Sequence, residues 1–98
     1  MPNQPRGYTV YNLTLTDANT QYSQALPVNC QGFEFQARTE ATIRFAVETG
    51  KVATPTAPYM TLKAGDYYYS LDLNVSGTSI LYFASSTAGT IVEIIASF

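Results

Sequence analysis

No histidine and no tryptophan occur in this sequence, and there is a single cysteine, Cys30. Without His there is no imidazole to serve as a general base near neutral pH or to ligate a transition metal. One Cys cannot form an internal disulfide. With no His to activate it, nucleophilic catalysis of the Cys–His kind is excluded, and Cys30 reads as a small turn or core residue. A lone thiol also fits synthesis in a reducing compartment.

Charge is scarce too. Lys, Arg, Asp and Glu make up 12% of the 98 residues, and the net charge is −2. A typical soluble domain carries about 25%. With a pI of about 4.7, no nucleic-acid partner held by phosphate neutralisation is expected. No apolar run approaches the ~20 residues of a membrane helix, so no membrane partner is expected. Met1–Arg6 has no apolar core to make a secretory signal. A hydrophobic content of 46% excludes a disordered chain. The length holds one domain, because a second would leave each half too small to bury a core.

The seven carboxylates, Asp17, Glu34, Glu40, Glu48, Asp66, Asp72 and Glu93, are scattered over polar faces and turns. A glycosidase needs two facing acids in a cleft, and nothing here singles out such a pair. Asp17/Asn19 and Asp72/Asn74 are the only hints of the converging oxygens that calcium requires. The sequons Asn12-Leu13-Thr14 and Asn74-Val75-Ser76 read as coincidence in a chain without a signal. Arg38 and Arg44 fall on polar strand faces, as solvated or cross-strand charges. No catalytic residue, cofactor or metal ligand is assigned, and no enzymatic activity is expected.

What is present is β-biased. Thr, Val, Ile, Tyr and Phe dominate, and these suit a pleated, half-buried surface. Short runs are separated by turn residues at spacings near ten, the pattern of a sandwich or barrel. In Tyr8–Thr16, Tyr11, Leu13 and Leu15 share one face and Asn12, Thr14 and Thr16 the other. Asp17-Ala18-Asn19 supplies a turn, and a run over Gln21–Leu26 stops at Pro27, which cannot donate to a ladder. Phe33–Arg38 sets Phe33, Phe35 and Ala37 against Glu34, Gln36 and Arg38. Ala41–Glu48 sets Ala41, Ile43, Phe45 and Val47 against Thr42, Arg44, Ala46 and Glu48. These two are expected as consecutive antiparallel strands joined at Thr39-Glu40.

Gly50–Pro58 is the long loop. Tyr59–Leu62 and Tyr67–Asp72 read as a hairpin about Lys63-Ala64-Gly65-Asp66. Ser79–Ser85 and Thr90–Phe98 follow, after turns at Ser76-Gly77-Thr78 and Ala88-Gly89. These last two strands are apolar on both faces, so they are either central under other cover or buried by another chain. Tyr67-Tyr68-Tyr69, with Tyr59 across the expected hairpin, is the most unusual local feature. It offers an aromatic platform for a ligand, or core on one side and subunit contact on the other.

The segments YSQALP (Tyr22–Pro27), FEFQAR (Phe33–Arg38), ATIRFAVETGK (Ala41–Lys51), YMTLKAGDYYYS (Tyr59–Ser70) and LYFASSTAGTIVEII (Leu81–Ile95) occur in that order. Together they resemble small phage-encoded virion proteins, compact β-sandwiches found among capsid and tail structural genes. The resemblance covers nearly the whole chain after Gly7. It implies a structural or decoration role on a virion assembled from protein made in the bacterial cytoplasm, usually as a symmetric oligomer. It brings no catalytic or cofactor residues.

The expectation is therefore an all-β, antiparallel sandwich of about eight strands over residues 8–98, jelly-roll or immunoglobulin-like. An extended arm, residues 1–7, precedes it and is positioned to tie a neighbouring subunit. The expected partners are further copies of the chain, a trimer being favoured, and a phage capsid or tail protein. Interfaces are enriched in Tyr and poor in Lys and Glu, which makes Tyr59, Tyr67, Tyr68, Tyr69, Ile91, Ile95 and Phe98 the candidate contact residues. The alternative is a carbohydrate-binding module that uses the Tyr-rich face.

Overall fold

Alternation in the sequence becomes alternation in burial. The computed structural model describes residues 7–70 and 79–98, the side chains of Tyr69 and Ser70 excepted. Its strands are β1 (Tyr8–Leu15), β2 (Tyr22–Ala25), β3 (Gly32–Ala37), β4 (Ile43–Ala46), β5 (Met60–Leu62), β6 (Tyr67–Ser70), β7 (Ile80–Ser85) and β8 (Thr90–Ser97), with no helix among the described residues. The expected arm, save Gly7, lies outside the described residues, as does the expected turn Ser76-Gly77-Thr78. In β8, Val92, Ile94 and Ala96 are buried while Ile91, Glu93 and Ile95 are half-buried.

Two antiparallel four-stranded sheets pack face to face, ordered β1-β8-β3-β6 and β2-β7-β4-β5. In this order the first strand lies beside the eighth, the second beside the seventh, the third beside the sixth and the fourth beside the fifth. That is a single long hairpin rolled up, the double Greek key of a jelly roll. An immunoglobulin-like sandwich has a different order, so the topology resolves the two expected alternatives.

The rolling corrects two expectations. β3 and β4 do not pair: β3 joins β8 and β6, whereas β4 joins β7 and β5 in the other sheet. β5 and β6 do not form a hairpin either, although the turn between them is present. Asp66 N–H donates to the Lys63 carbonyl at 3.0 Å, and Gly65 takes the positive φ of 88° that an L side chain resists. Both connections carry the chain from one sheet to the other. Alternation reports which side of a strand is buried, and a strand that crosses layers keeps its buried side.

The core between the sheets gathers Leu15, Leu26, Cys30, Ile43, Leu81, Val92, Ile94 and Ala96 around Phe33, Phe35, Phe45 and Phe83. Phe35 meets Phe83 edge-on at 5.0 Å and tilts against Phe45 at 4.9 Å, separations at which aromatic pairs attract. Cys30 is buried and donates its S–H to the Gly32 carbonyl at 3.2 Å. Ser85 and Thr90 are the buried polar side chains among the described residues. Both are satisfied: Ser85 Oγ donates to the Thr42 carbonyl at 2.8 Å and Thr90 Oγ1 to the Thr87 carbonyl at 2.7 Å.

The doubly apolar β7 has its cover within the chain. The long loop folds back over the outer face of its sheet and buries Val52 against Ala46 and Ala84, with Tyr82 at the margin. Arg44 fastens it, donating Nε to the Val52 carbonyl at 2.6 Å and Nη2 to the Ala53 carbonyl at 3.3 Å and Asn19 Oδ1 at 2.9 Å. Gln21 holds the loop's start, with its Oε1 accepting from Gly50 N–H at 2.7 Å and its Nε2 donating to Thr49 Oγ1 at 3.0 Å. This cover explains a third correction. Ala46, placed by alternation on the wet face, is buried, and Val47, placed on the core face, lies beyond the end of β4 and is exposed.

Candidate functional site

The outer face of the β1-β8-β3-β6 sheet has no cover from the described residues. Cross-strand register sets its side chains in rows. Val10 stands beside Ile95 and Ile95 beside Glu34; Asn12, Glu93, Gln36 and Tyr67 form the next row; Thr14 stands beside Ile91. Tyr8 is 76% exposed, Val10 62% and Tyr67 61%. Between the first two rows lies a shallow depression of about 480 Å³, lined by Val10, Asn12, Gln36, Tyr67, Glu93 and Ile95 among others.

Two of the charges on this face, Arg38 and Glu93, answer one another, while Glu34 is exposed with no ion-pair partner among the described residues. Arg38 Nε donates to Glu93 Oε2 at 2.9 Å, and its Nη2 donates to Asn12 Oδ1 at 3.0 Å. Gln36 Nε2 donates to Glu93 Oε1 at 3.1 Å. The Gln36 hydrogen bond, then the Arg38 hydrogen bond and charge, hold the Glu93 carboxyl below its ordinary value of 4.5, since each favours the ionised form. The row is thus a neutral, cross-linked polar strip flanked by exposed apolar side chains. Arg38 keeps the cross-strand role expected of it, and Arg44 is instead the fastening of the loop.

The candidate contact residues separate into three groups. Tyr67, Ile91 and Ile95 come together on this outer face. Tyr68 faces the opposite way, half-buried against Phe33, Phe35 and Phe45 with ring centroids 5.3–5.9 Å apart. With Tyr59, Met60 and Val47 it lines a second groove, of about 310 Å³, at the open seam between the β5 and β6 edges. Phe98 is half-buried over Gly7, where an added Cβ would stand 3.0 Å from the ring. The backbone of Tyr69 pairs with Glu34, and its side chain lies outside those described. The tyrosines therefore do not make one platform.

Tyr8 and Val10 are the surface residues that sequence reasoning passed over. The signal was available: both share parity with Asn12 and Thr14, so each is a large apolar residue on a strand's wet side. Among the described residues no three His, Cys, Asp or Glu side chains converge as metal ligands. The Asn19 oxygen of one calcium hint is taken by Arg44, while Asp72 and Asn74 lie outside the described residues.

No family model, no curated protein and no solved structure matches this chain.

Proposed function

We propose that this chain is a non-enzymatic structural subunit of a virion, a capsid decoration or accessory protein that assembles with its own copies and binds the capsid or tail lattice. The observation that carries the proposal is the outer face of β1-β8-β3-β6, which the described residues leave uncovered. Among the described residues Arg38 and Glu93 pair with each other and Glu34 is the one further charge on the face, while Tyr8, Val10 and Tyr67 stand out into solvent beside Ile91 and Ile95. A solitary protein keeps itself dispersed with interspersed, hydrated charges. A subunit held among neighbours instead gains about 25 cal/mol for each Å² of apolar surface it hides, less the cost of immobilising it. The jelly-roll order agrees, since viral capsid domains use it widely, although a fold by itself assigns no function.

Purified particles of the phage encoding the chain supply the test. The protein is expected in fixed stoichiometry with the major capsid or tail protein. A chain expressed during infection yet missing from particles would overturn the proposal.

Lectin domains share the jelly roll, and one observation favours the glycan alternative: the depression that sets Tyr67 beside Asn12, Gln36 and Glu93. Planar polar groups next to an exposed ring are what sugar recognition requires. Binding on a glycan panel that is lost in Tyr67→Ala and kept in Tyr59→Ala would select this alternative.

A further inference from the structure

Among the described residues the two sheets end on four edge strands, β1, β6, β2 and β5. An edge presents unpaired N–H and C=O groups, and proteins shield such edges by keeping them short or by placing Pro or charge on them. Three of the four are short. β2 has four residues and is followed by Pro27; β5 has three and is preceded by Pro58; β6 has four and follows the Lys63–Asp66 turn. β1 is different. It runs for eight residues, Tyr-Thr-Val-Tyr-Asn-Leu-Thr-Leu, with no charge, Pro or Gly.

Its hydrogen-bond phase identifies the groups that face outward. Gly7 and Phe98 exchange both backbone bonds, at 3.1 and 3.0 Å. In an antiparallel ladder such pairs alternate with non-bonded ones, so Thr9, Tyr11 and Leu13 also turn their backbone groups toward β8. Tyr8, Val10, Asn12 and Thr14 turn theirs to the edge, and among the described residues their only ladder partner strand is β8.

We propose that the β1 edge pairs with β1 of a second copy, antiparallel about a two-fold axis at Tyr11. In that register Tyr8 faces Thr14 of the other copy and Val10 faces Asn12. All four outward residues of each strand are then used in four exchange pairs, about eight backbone bonds. No other register of the strand on itself uses them all. No like charges meet, because the strand has none, and an aromatic side chain falls opposite a β-branched one. The pairing also flanks Tyr8 and Val10, the most exposed apolar side chains described in the sheet. The product is one continuous eight-stranded sheet with β6 at both ends. This inference rests on the proposed homo-oligomer and identifies its partner contact, which is two-fold in place of the trimer expected from the sequence.

The test is the mass of the full chain and its variants by light scattering over a range of concentrations, with circular dichroism to confirm folding. Val10→Pro removes an outward donor and leaves the β8 ladder whole, a position where an edge strand accepts Pro. Val10→Lys keeps the backbone and places charge on the edge. Both are expected to weaken the dimer about tenfold or more, while Tyr67→Lys, on the far strand β6, leaves it intact. If Val10→Pro loses the fold, Val10→Lys decides. A dimer or trimer unmoved by both Val10 changes and broken by Tyr67→Lys overturns the edge pairing and leaves the proposed function standing. A wild-type chain that stays monomeric overturns both.

Discussion

The loop that covers β7 is the most sharply testable part of the fold. Val52 is fully buried against Ala46 and Ala84, so Val52→Ala removes two buried carbons and leaves a void. The transfer and cavity contributions together come to about 1.5–3 kcal/mol. Arg44→Met keeps the aliphatic stem but deletes the guanidinium bonds to the Val52 and Ala53 carbonyls and to Asn19. Because these acceptors can rehydrate at the surface, the net loss is smaller, about 1–2 kcal/mol. For a domain of this size 2 kcal/mol lowers the melting temperature by roughly 8–16 °C, well within reach of thermal and urea denaturation. The two changes act on one loop, so the double variant should depart from additivity by at least about 0.5 kcal/mol. A Val52→Ala shift within experimental error, or strict additivity, would refute the claim that Arg44 clamps a packed cover.

Two further changes probe the polar groups. Glu93 has its carboxyl pKa lowered in the fold, chiefly by Gln36 and then by Arg38. Its contribution is therefore present above the unfolded value and is lost as pH falls through the folded one. Glu93→Gln should flatten the decline of the urea midpoint below about pH 4.5, and an unchanged acid limb would contradict the pairing seen here. Ser85→Ala removes a buried hydroxyl that donates to the Thr42 carbonyl and accepts from Thr87 N–H at 3.1 Å. It should cost about 1–3 kcal/mol in chemical denaturation because both partners lose their bond; a neutral result would mean that water enters.

The buried faces were legible in the sequence because a strand repeats every two residues. Leu15, Phe33, Phe35, Ile43 and Phe45 all lie on the side their alternation indicated, and all are buried. Strand partners were not legible, because nothing in Phe33–Arg38 or Ala41–Glu48 distinguishes a hairpin neighbour from a strand in the opposite sheet. The cover on β7 had a faint signal, a single Val at position 52 in a loop otherwise of small, polar and Pro residues, but its target depends on tertiary contact. Within Tyr67-Tyr68-Tyr69 identical residues carry no alternation of their own. Only the pairing of Phe35 with Tyr68 assigns the middle ring to the core.

Sedimentation equilibrium of the purified, unmodified chain is the most direct test of the claim that its charge-poor outer surface is covered by other copies. A reversible species heavier than the 10.7 kDa protomer is expected, and it should persist on dilution and in high salt, since apolar burial and backbone pairing are little screened. A single species at the protomer mass up to the highest soluble concentration would contradict it.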